Sequence, residues 1–187
     1  MANMSHISTN SPHAWILAAR PKTLTGAAVP VMIGISAAWA DGFFRPVPAL
    51  LCFLFAFLMQ IDANFINDYY DFRKGLDDEK RLGPKRACAE GWITLPAMRR
   101  GIICTTLLSC LTGLPLVWYG GWTMVLVGVC CVVFCFLYTT CMARLGLGDL
   151  LVLVFFGLVP VGATYYLQSG TVVPEVWALS LVCGLVI

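Results

Sequence analysis

Apolar residues fall in long, nearly unbroken runs along this chain, each closed by a short polar or Gly/Pro-containing break. Runs of this length approach the ~20 residues that cross a bilayer. The pattern predicts a first span over residues 23–40, where Gly26, Ala27, Ala28, Gly34, Ala37 and Ala38 would let helices approach closely. A loop around 41–48 leads into a second span from 47 to about 68. A polar loop covers 71–96, and Arg99 and Arg100 open a third span that reaches Trp118. A tight turn at 119–122 precedes a fourth span over 123–142. The loop ARLGLGD at 143–149 separates it from a fifth at 150–167, which Pro160 should kink. After a turn at 168–175, residues 176–187 begin a sixth span too short to cross a membrane. Ahead of the first span, residues 1–14 read as a flexible tail. Residues 15–22, WILAARPK, read as an interfacial segment with Trp15 suited to the aromatic belt. The expectation is an all-α, polytopic transmembrane helical bundle, truncated within the sixth helix. Residues 15–187 would be the N-terminal part of one transmembrane domain.

Composition supports a lipid-embedded chain. Of the 187 residues, 59% are hydrophobic and 12% charged, against about 25% charged in soluble domains. The net charge of +2 says little as a total; its distribution says more. With the N-terminus inside, the inner segments carry Arg20, Lys22, Arg73, Lys74, Lys80, Arg81, Lys85, Arg86, Arg99, Arg100 and Arg144, which is 11 of the 12 basic residues. Only Arg45 falls outside. The positive-inside rule therefore puts the N-terminus and the 71–96 and 143–149 loops on the cytoplasmic side. No basic segment stands apart from the membrane pattern, so no nucleic-acid partner is expected. The nine cysteines contain no C-x-x-C pair and read as small buried hydrophobes, not zinc ligands. Both histidines, His6 and His13, precede the first span, which argues against a histidine-based triad.

The candidate chemistry lies in QIDANFINDYYDFRKGLD at 60–77. Gln60, Asn64, Asn67, Asp68 and Asp71 recur at spacings of three and four, so they share a helix face; Asn64 to Asp71 covers roughly 10 Å of axis. Ionisable groups near membrane depth are costly and point to function. Carboxylate and carboxamide oxygens suit a hard cation such as Mg²⁺ shared with a substrate phosphate. Acid at a helix C-terminus opposes the helix dipole, so something positive should offset it. Asp62 lies roughly 200° around from Asn64, facing away, which suits a polar partner on another helix. In the basic loop, Arg86 and, before the first span, Lys22 are candidate phosphate contacts; topology and lipid headgroups account for most of the others. The glycines of ARLGLGD suit a tight turn, and Asp149 is either a plain helix cap or a binding group. Tyr138 lies near the cytoplasmic end of its span and is a candidate pocket residue. Tyr69, Tyr70, Tyr165 and Tyr166 read mainly as packing.

At NDYYDFRKGLD the chain resembles the UbiA superfamily of intramembrane aromatic prenyltransferases. Their first Asp-rich motif has the form N-x-x-x-D-x-x-D with a further Asp nearby, here Asn64, Asp68, Asp71 and Asp77. RPKTL at 20–24, RLGPKRA at 81–87, GWIT at 91–94, LGLGDLLVLVFFG at 145–157 and TYYLQ at 164–168 resemble the naphthoate-using branch. The resemblance implies a nine-helix bundle with a second Asp-rich motif after the sixth helix, beyond this chain. It implies Mg²⁺ held by Asn64, Asp68 and Asp71, with Asp68 and Asp71 catalytic. It implies diphosphate binding assisted by Lys22, Arg86 and Asp77; with Asn64, Asn67, Tyr138 and Asp149 these make up the candidate substrate-binding set. The implied substrates are a polyprenyl diphosphate and 1,4-dihydroxy-2-naphthoate, joined with loss of CO₂ to give demethylmenaquinone at the cytoplasmic face of the inner membrane. Another aromatic acceptor such as 4-hydroxybenzoate is the alternative within this class. A cation transporter is the alternative outside it, although the carboxylates cluster at one membrane end and not at the midplane where transporter sites lie.

Overall fold

The computed structural model describes residues 7–75, 85–140, 146 and 148–187. Proline and glycine decide where its helices begin and end. Helix α1 (Pro12–Ala19) opens on a proline, and Ser11 caps it by accepting from the Ala14 N–H at 3.2 Å. It closes at Arg20, whose left-handed φ of 51° turns the chain into the 3₁₀ turn Pro21–Thr23. Helix α2 (Leu24–Ala40) then crosses to the other end of the bundle. Helix α3 (Pro46–Arg73) returns over 28 residues, about 42 Å at ~1.5 Å per residue. It runs beyond the expected end near 68 because no helix breaker occurs before Gly75, whose φ is 65°.

The third apolar run is divided. Helix α4 (Leu95–Gly113) stops before Pro115, and the short α5 (Leu116–Gly120) completes the crossing. Helix α6 (Thr123–Thr140) is continuous. The fifth run is α7 (Gly148–Val152), a π-helical segment Leu153–Leu158, and α8 (Val159–Ser169). Pro160 explains that wide segment: lacking an N–H, it leaves the Phe156 carbonyl without its normal helical donor. Cys183 Sγ on α9 (Pro174–Val186) reaches that carbonyl at 3.6 Å. Among the described residues there is no strand. Five helical stretches, Pro12–Ala40, Pro46–Arg73, Leu95–Gly120, Thr123–Thr140 and Gly148–Ser169, are long and apolar enough to cross a membrane. The fold is an all-helical, multi-pass membrane bundle.

Helix α3 is the hub and packs against α1, α2, α4, α6 and α8. Large apolar residues such as Trp118, Trp122 and Leu126 are exposed on the outside, as expected where lipid is the solvent. Two expectations for the N-terminus are corrected. From residue 7 the expected tail is held: Asn10 N–H donates to Trp92 O at 2.8 Å, Asn10 Oδ1 accepts from Thr94 N–H at 3.1 Å, and Ala14 is buried. Trp15 is no belt residue; its ring lies edge-on to Phe65 at 5.3 Å and fills the space over Gly101. Asp62 does find a polar partner on another helix. Its two oxygens accept from Thr105 at 2.5 Å and Thr106 at 2.7 Å, both on α4.

Candidate active site

The polar arc of α3 is divided among three neighbours. Consecutive helix residues point ~100° apart, so Asn67 and Asp68 cannot face the same partner. Asn64 Nδ2 donates to Ala19 O at 2.9 Å and Thr23 Oγ1 at 3.0 Å, and Gln60 Nε2 donates to the same hydroxyl at 3.3 Å. These bonds tie α3 to the corner between α1 and α2. Asp68, 1% exposed, accepts from the backbone N–H groups of Ala87 at 2.8 Å and Cys88 at 2.9 Å. Asp71 Oδ2 accepts from Arg86 Nη2 at 2.6 Å. Asn67 Oδ1 accepts from the Thr139 hydroxyl on α6.

The turn that meets these acids is built locally. Arg86 O accepts from Glu90 N–H at 3.0 Å, Ala87 O accepts from Trp92 N–H at 2.8 Å, and Gly91 reverses the chain at a φ of 71°. Its leading amides, those of Ala87 and Cys88, donate to Asp68, as a side chain caps a helix start. The positive offset that the acidic helix end requires is thus the Arg86 guanidinium and two amide dipoles. Lys74 adds to it while donating to the last carbonyls of α6, Thr139 O at 3.0 Å and Thr140 O at 3.1 Å.

Beside this polar end lies a partly open cavity of about 520 Å³ lined by residues of α2, α3, α4, α5, α6, α7, α8 and the π-helical segment. Its walls are apolar, including Val31, Phe55, Met59, Met124, Phe155 and Leu167. Four of the eight described free cysteines, Cys52, Cys110, Cys131 and Cys135, line it as small apolar groups. The polar residues at one end are Gln60, Asn67 and Tyr138. Asp71 stands one helical turn beyond Asn67, on the same stripe of α3.

The expected shared face is therefore resolved into distinct roles. Asn67 and Tyr138 line the cavity, while Asp71, one turn further along α3, is paired with Arg86. Asn64 and Asp68 turn to neighbouring backbone and to Thr23. Lys22 is exposed, and its carbonyl accepts from Thr25 at 2.9 Å. Asp149 is exposed in the first turn of α7, next to Gly148, which lies under the Tyr138 ring. Asp77 falls outside the described residues, as do Lys80 and Arg81. Tyr165 and Tyr166 sit at the opposite end, where Tyr165 donates to Asp41 Oδ2 at 2.6 Å and Tyr166 to Gly120 O at 3.5 Å. Thr23, Thr139 and the Ala87 and Cys88 amides escaped the sequence reading. Only the two threonines left a trace there, as hydroxyls at the polar ends of apolar runs. Among the described residues, no three His, Cys, Asp or Glu side chains converge as a metal site.

Comparison with known proteins bears on these features. The 1,4-dihydroxy-2-naphthoate octaprenyltransferase of Escherichia coli strain K12 is 37% identical over 97% of this chain and 62% of its own length. The protein of the same name from Haemophilus influenzae is 36% identical over 84% of this chain and 55% of its own length. The UbiA prenyltransferase domain-containing protein 1 of Danio rerio is 29% identical over 90% of this chain and 52% of its own length. The chain thus spans between half and two thirds of these relatives. The UbiA prenyltransferase family matches residues 27–187, which takes in most of α2, the four later membrane-length stretches and the acid–arginine end of α3, and the chain belongs to that family.

Proposed function

We propose that this protein transfers a polyprenyl group from polyprenyl diphosphate to 1,4-dihydroxy-2-naphthoate with loss of CO₂. One observation supports this above the others: an apolar cavity has amide and phenol groups at one end, and one helical turn beyond Asn67 the half-buried Asp71 pairs with the buried Arg86. That polarity suits a donor with a hydrocarbon tail and an anionic head. The shared name of the bacterial relatives supports the naphthoate acceptor. The clustering of basic residues supports an N-terminus and site at the cytoplasmic face of the inner membrane.

The donor's tail would lie along the cavity and its diphosphate beside Asp71 and Arg86. Arg86 would trade part of its bond to Asp71 for phosphate oxygens, while Asn67 and Tyr138 border the head. The oxygens of Asn67 and Asp71 lie one helical turn apart and are hard donors, a set that fits Mg²⁺ completed by phosphate and water. Mg²⁺ bound there would neutralise the leaving diphosphate. Asp68 acts through position: it fixes the turn that carries Arg86. Asn64 holds the α1–α2 corner against α3. The C–O bond of the donor breaks with its electron pair going to diphosphate, leaving an allylic cation. The ring carbon bearing the carboxylate attacks that cation. Release of CO₂ returns its electron pair to the ring and gives the hydroquinone of demethylmenaquinone.

The test supplies membranes containing the full-length protein with octaprenyl diphosphate, 1,4-dihydroxy-2-naphthoate and Mg²⁺, with and without chelator. Mg²⁺-dependent prenylated naphthoquinone is expected. Prenylation of 4-hydroxybenzoate instead would overturn the acceptor alone. Lack of product with every aromatic acceptor would overturn the reading and bring the transporter forward.

A further inference from the structure

The inner stripe of α6 reads Met124, Gly128, Cys131, Cys135 and Tyr138, and all five line the cavity. Their spacings of four and three keep them on one helix face. Gly128 is anomalous within that stripe. Glycine is a poorer helix former than alanine, so its presence in a helix interior calls for a reason. Every other helical glycine among the described residues has a neighbour within 4 Å of where its Cβ would be: Gly26, Gly148 and Gly162 in ordinary contact at 3.4–3.9 Å, the rest closer. A Cβ on Gly34 would meet Val161 O at 2.7 Å, one on Gly101 the Trp15 ring at 2.6 Å, and one on Gly157 Ser180 O at 2.5 Å. Gly42, Gly75, Gly91, Gly121, Gly146 and Gly170 have positive φ angles and sit at turns. Gly128 has neither reason: it is helical, and a Cβ there would meet nothing within 4 Å. The space it leaves belongs to the cavity.

We infer that Gly128 is a specificity-determining residue that keeps the cavity open to donors with long prenyl tails. The inference rests on the proposed prenyl-transfer function. Gly128 lies ten residues before Tyr138 in the stripe, about 15 Å down the helix axis from the polar end. A short tail ends above that level; a long tail passes it. Beyond it the cavity has somewhere to send the remainder, because it is partly open and Leu114 and Val129, which line it, are 62% and 54% exposed. A bulky side chain at 128 would close the passage and leave the head-binding end intact.

The experiment measures kcat/KM in membranes carrying the full-length protein, with geranyl diphosphate and octaprenyl diphosphate as donors and 1,4-dihydroxy-2-naphthoate as acceptor. Gly128→Phe is expected to lower the octaprenyl-to-geranyl ratio tenfold or more, with geranyl transfer within threefold of wild type. Gly128→Ala should shift the ratio in the same direction by less. Leu126→Phe, on the exposed side of the same helix, controls for added bulk and should leave the ratio unchanged. If Gly128→Phe fails to accumulate, Gly128→Ala and Gly128→Val carry the test by their graded ratios. An unchanged length profile in variants that turn over geranyl diphosphate, or an equal loss with both donors, overturns the inference alone. A wild-type protein that uses neither donor overturns the proposed function and the inference with it.

Discussion

Arg86 and Asp71 meet at 2.6 Å with side chains only 6% and 19% exposed. One lies on a turn and the other near the end of α3, so the pair fixes the turn against the helix. Breaking a largely buried pair strands one charge, at a cost of about 3 kcal/mol. Arg86→Ala is therefore expected to lower stability by about that amount. Loss of a cation aimed at a leaving group should also cut the rate by about 10²-fold. Arg86→Lys keeps the charge but not the planar fork, so it should recover stability more fully than rate. Thermal unfolding in detergent and product formation in membranes check both; a variant with wild-type rate would remove Arg86 from the site.

Asp68 and Asp71 should respond differently to the same isosteric change. Asp68 meets two backbone N–H groups. In Asp68→Asn one of those donors would face an NH₂, a conflict worth about 1–3 kcal/mol. The expected phenotype is a lower melting temperature, a raised KM and easier proteolysis near 85–91. Asp71→Asn keeps an acceptor for Arg86 and should lose kcat more than stability. Limited proteolysis and a KM-against-kcat comparison separate the two. An Asp68→Asn protein of full stability that needs far more Mg²⁺ would restore the metal-ligand role expected from the sequence.

The helical layout was legible because lipid imposes it: each crossing needs a long apolar run, and those runs dominate the chain. The acidic end of α3 was legible for the complementary reason, that such groups are out of place near lipid. Their division among partners was not. Periodicity places Asn64 and Asp68 within the same broad arc as Asn67 and Asp71, but the partners of each lie far along the chain, at Ala19, Ala87, Thr139 and Arg86. The amides that hold Asp68 belong to Ala87 and Cys88, whose side chains carry no hint of that role. Trp15 was misread because belt and wedge tryptophans look alike in sequence; the space above Gly101 decides it.

Asp62 joins α3 to α4 through two threonine hydroxyls, and its charge has no basic partner among its hydrogen bonds. Thr105→Val with Thr106→Val removes both donors and should destabilise by about 2–4 kcal/mol. Asp62→Asn should cost under about 1 kcal/mol. The Thr105 hydroxyl also lies 3.0 Å from Gly101 O, so it can donate there and accept from the new amide. Unfolding of the three variants in one detergent checks the order. A severe loss in Asp62→Asn would mean that the negative charge itself is required.

Two glycines predict opposite outcomes for the same substitution. Gly157 lies where the π-helical segment crosses α9, and a methyl there would come within 2.5 Å of Ser180 O and 2.7 Å of the Gly184 Cα. Both neighbours are backbone, so relief requires α9 to move. Overpacking of this kind costs about 1–3 kcal/mol or more, and Gly157→Ala is expected at the upper end. It would also pull Cys183 from the Phe156 carbonyl that Pro160 leaves without a donor. Gly128→Ala meets open space and should gain about 0.5–1 kcal/mol from the better helix former. Melting temperatures of the two variants should therefore move in opposite directions from wild type. Equal destabilisation would mean that the wall of the cavity at Gly128 is closed by packing and offers no room for a ligand.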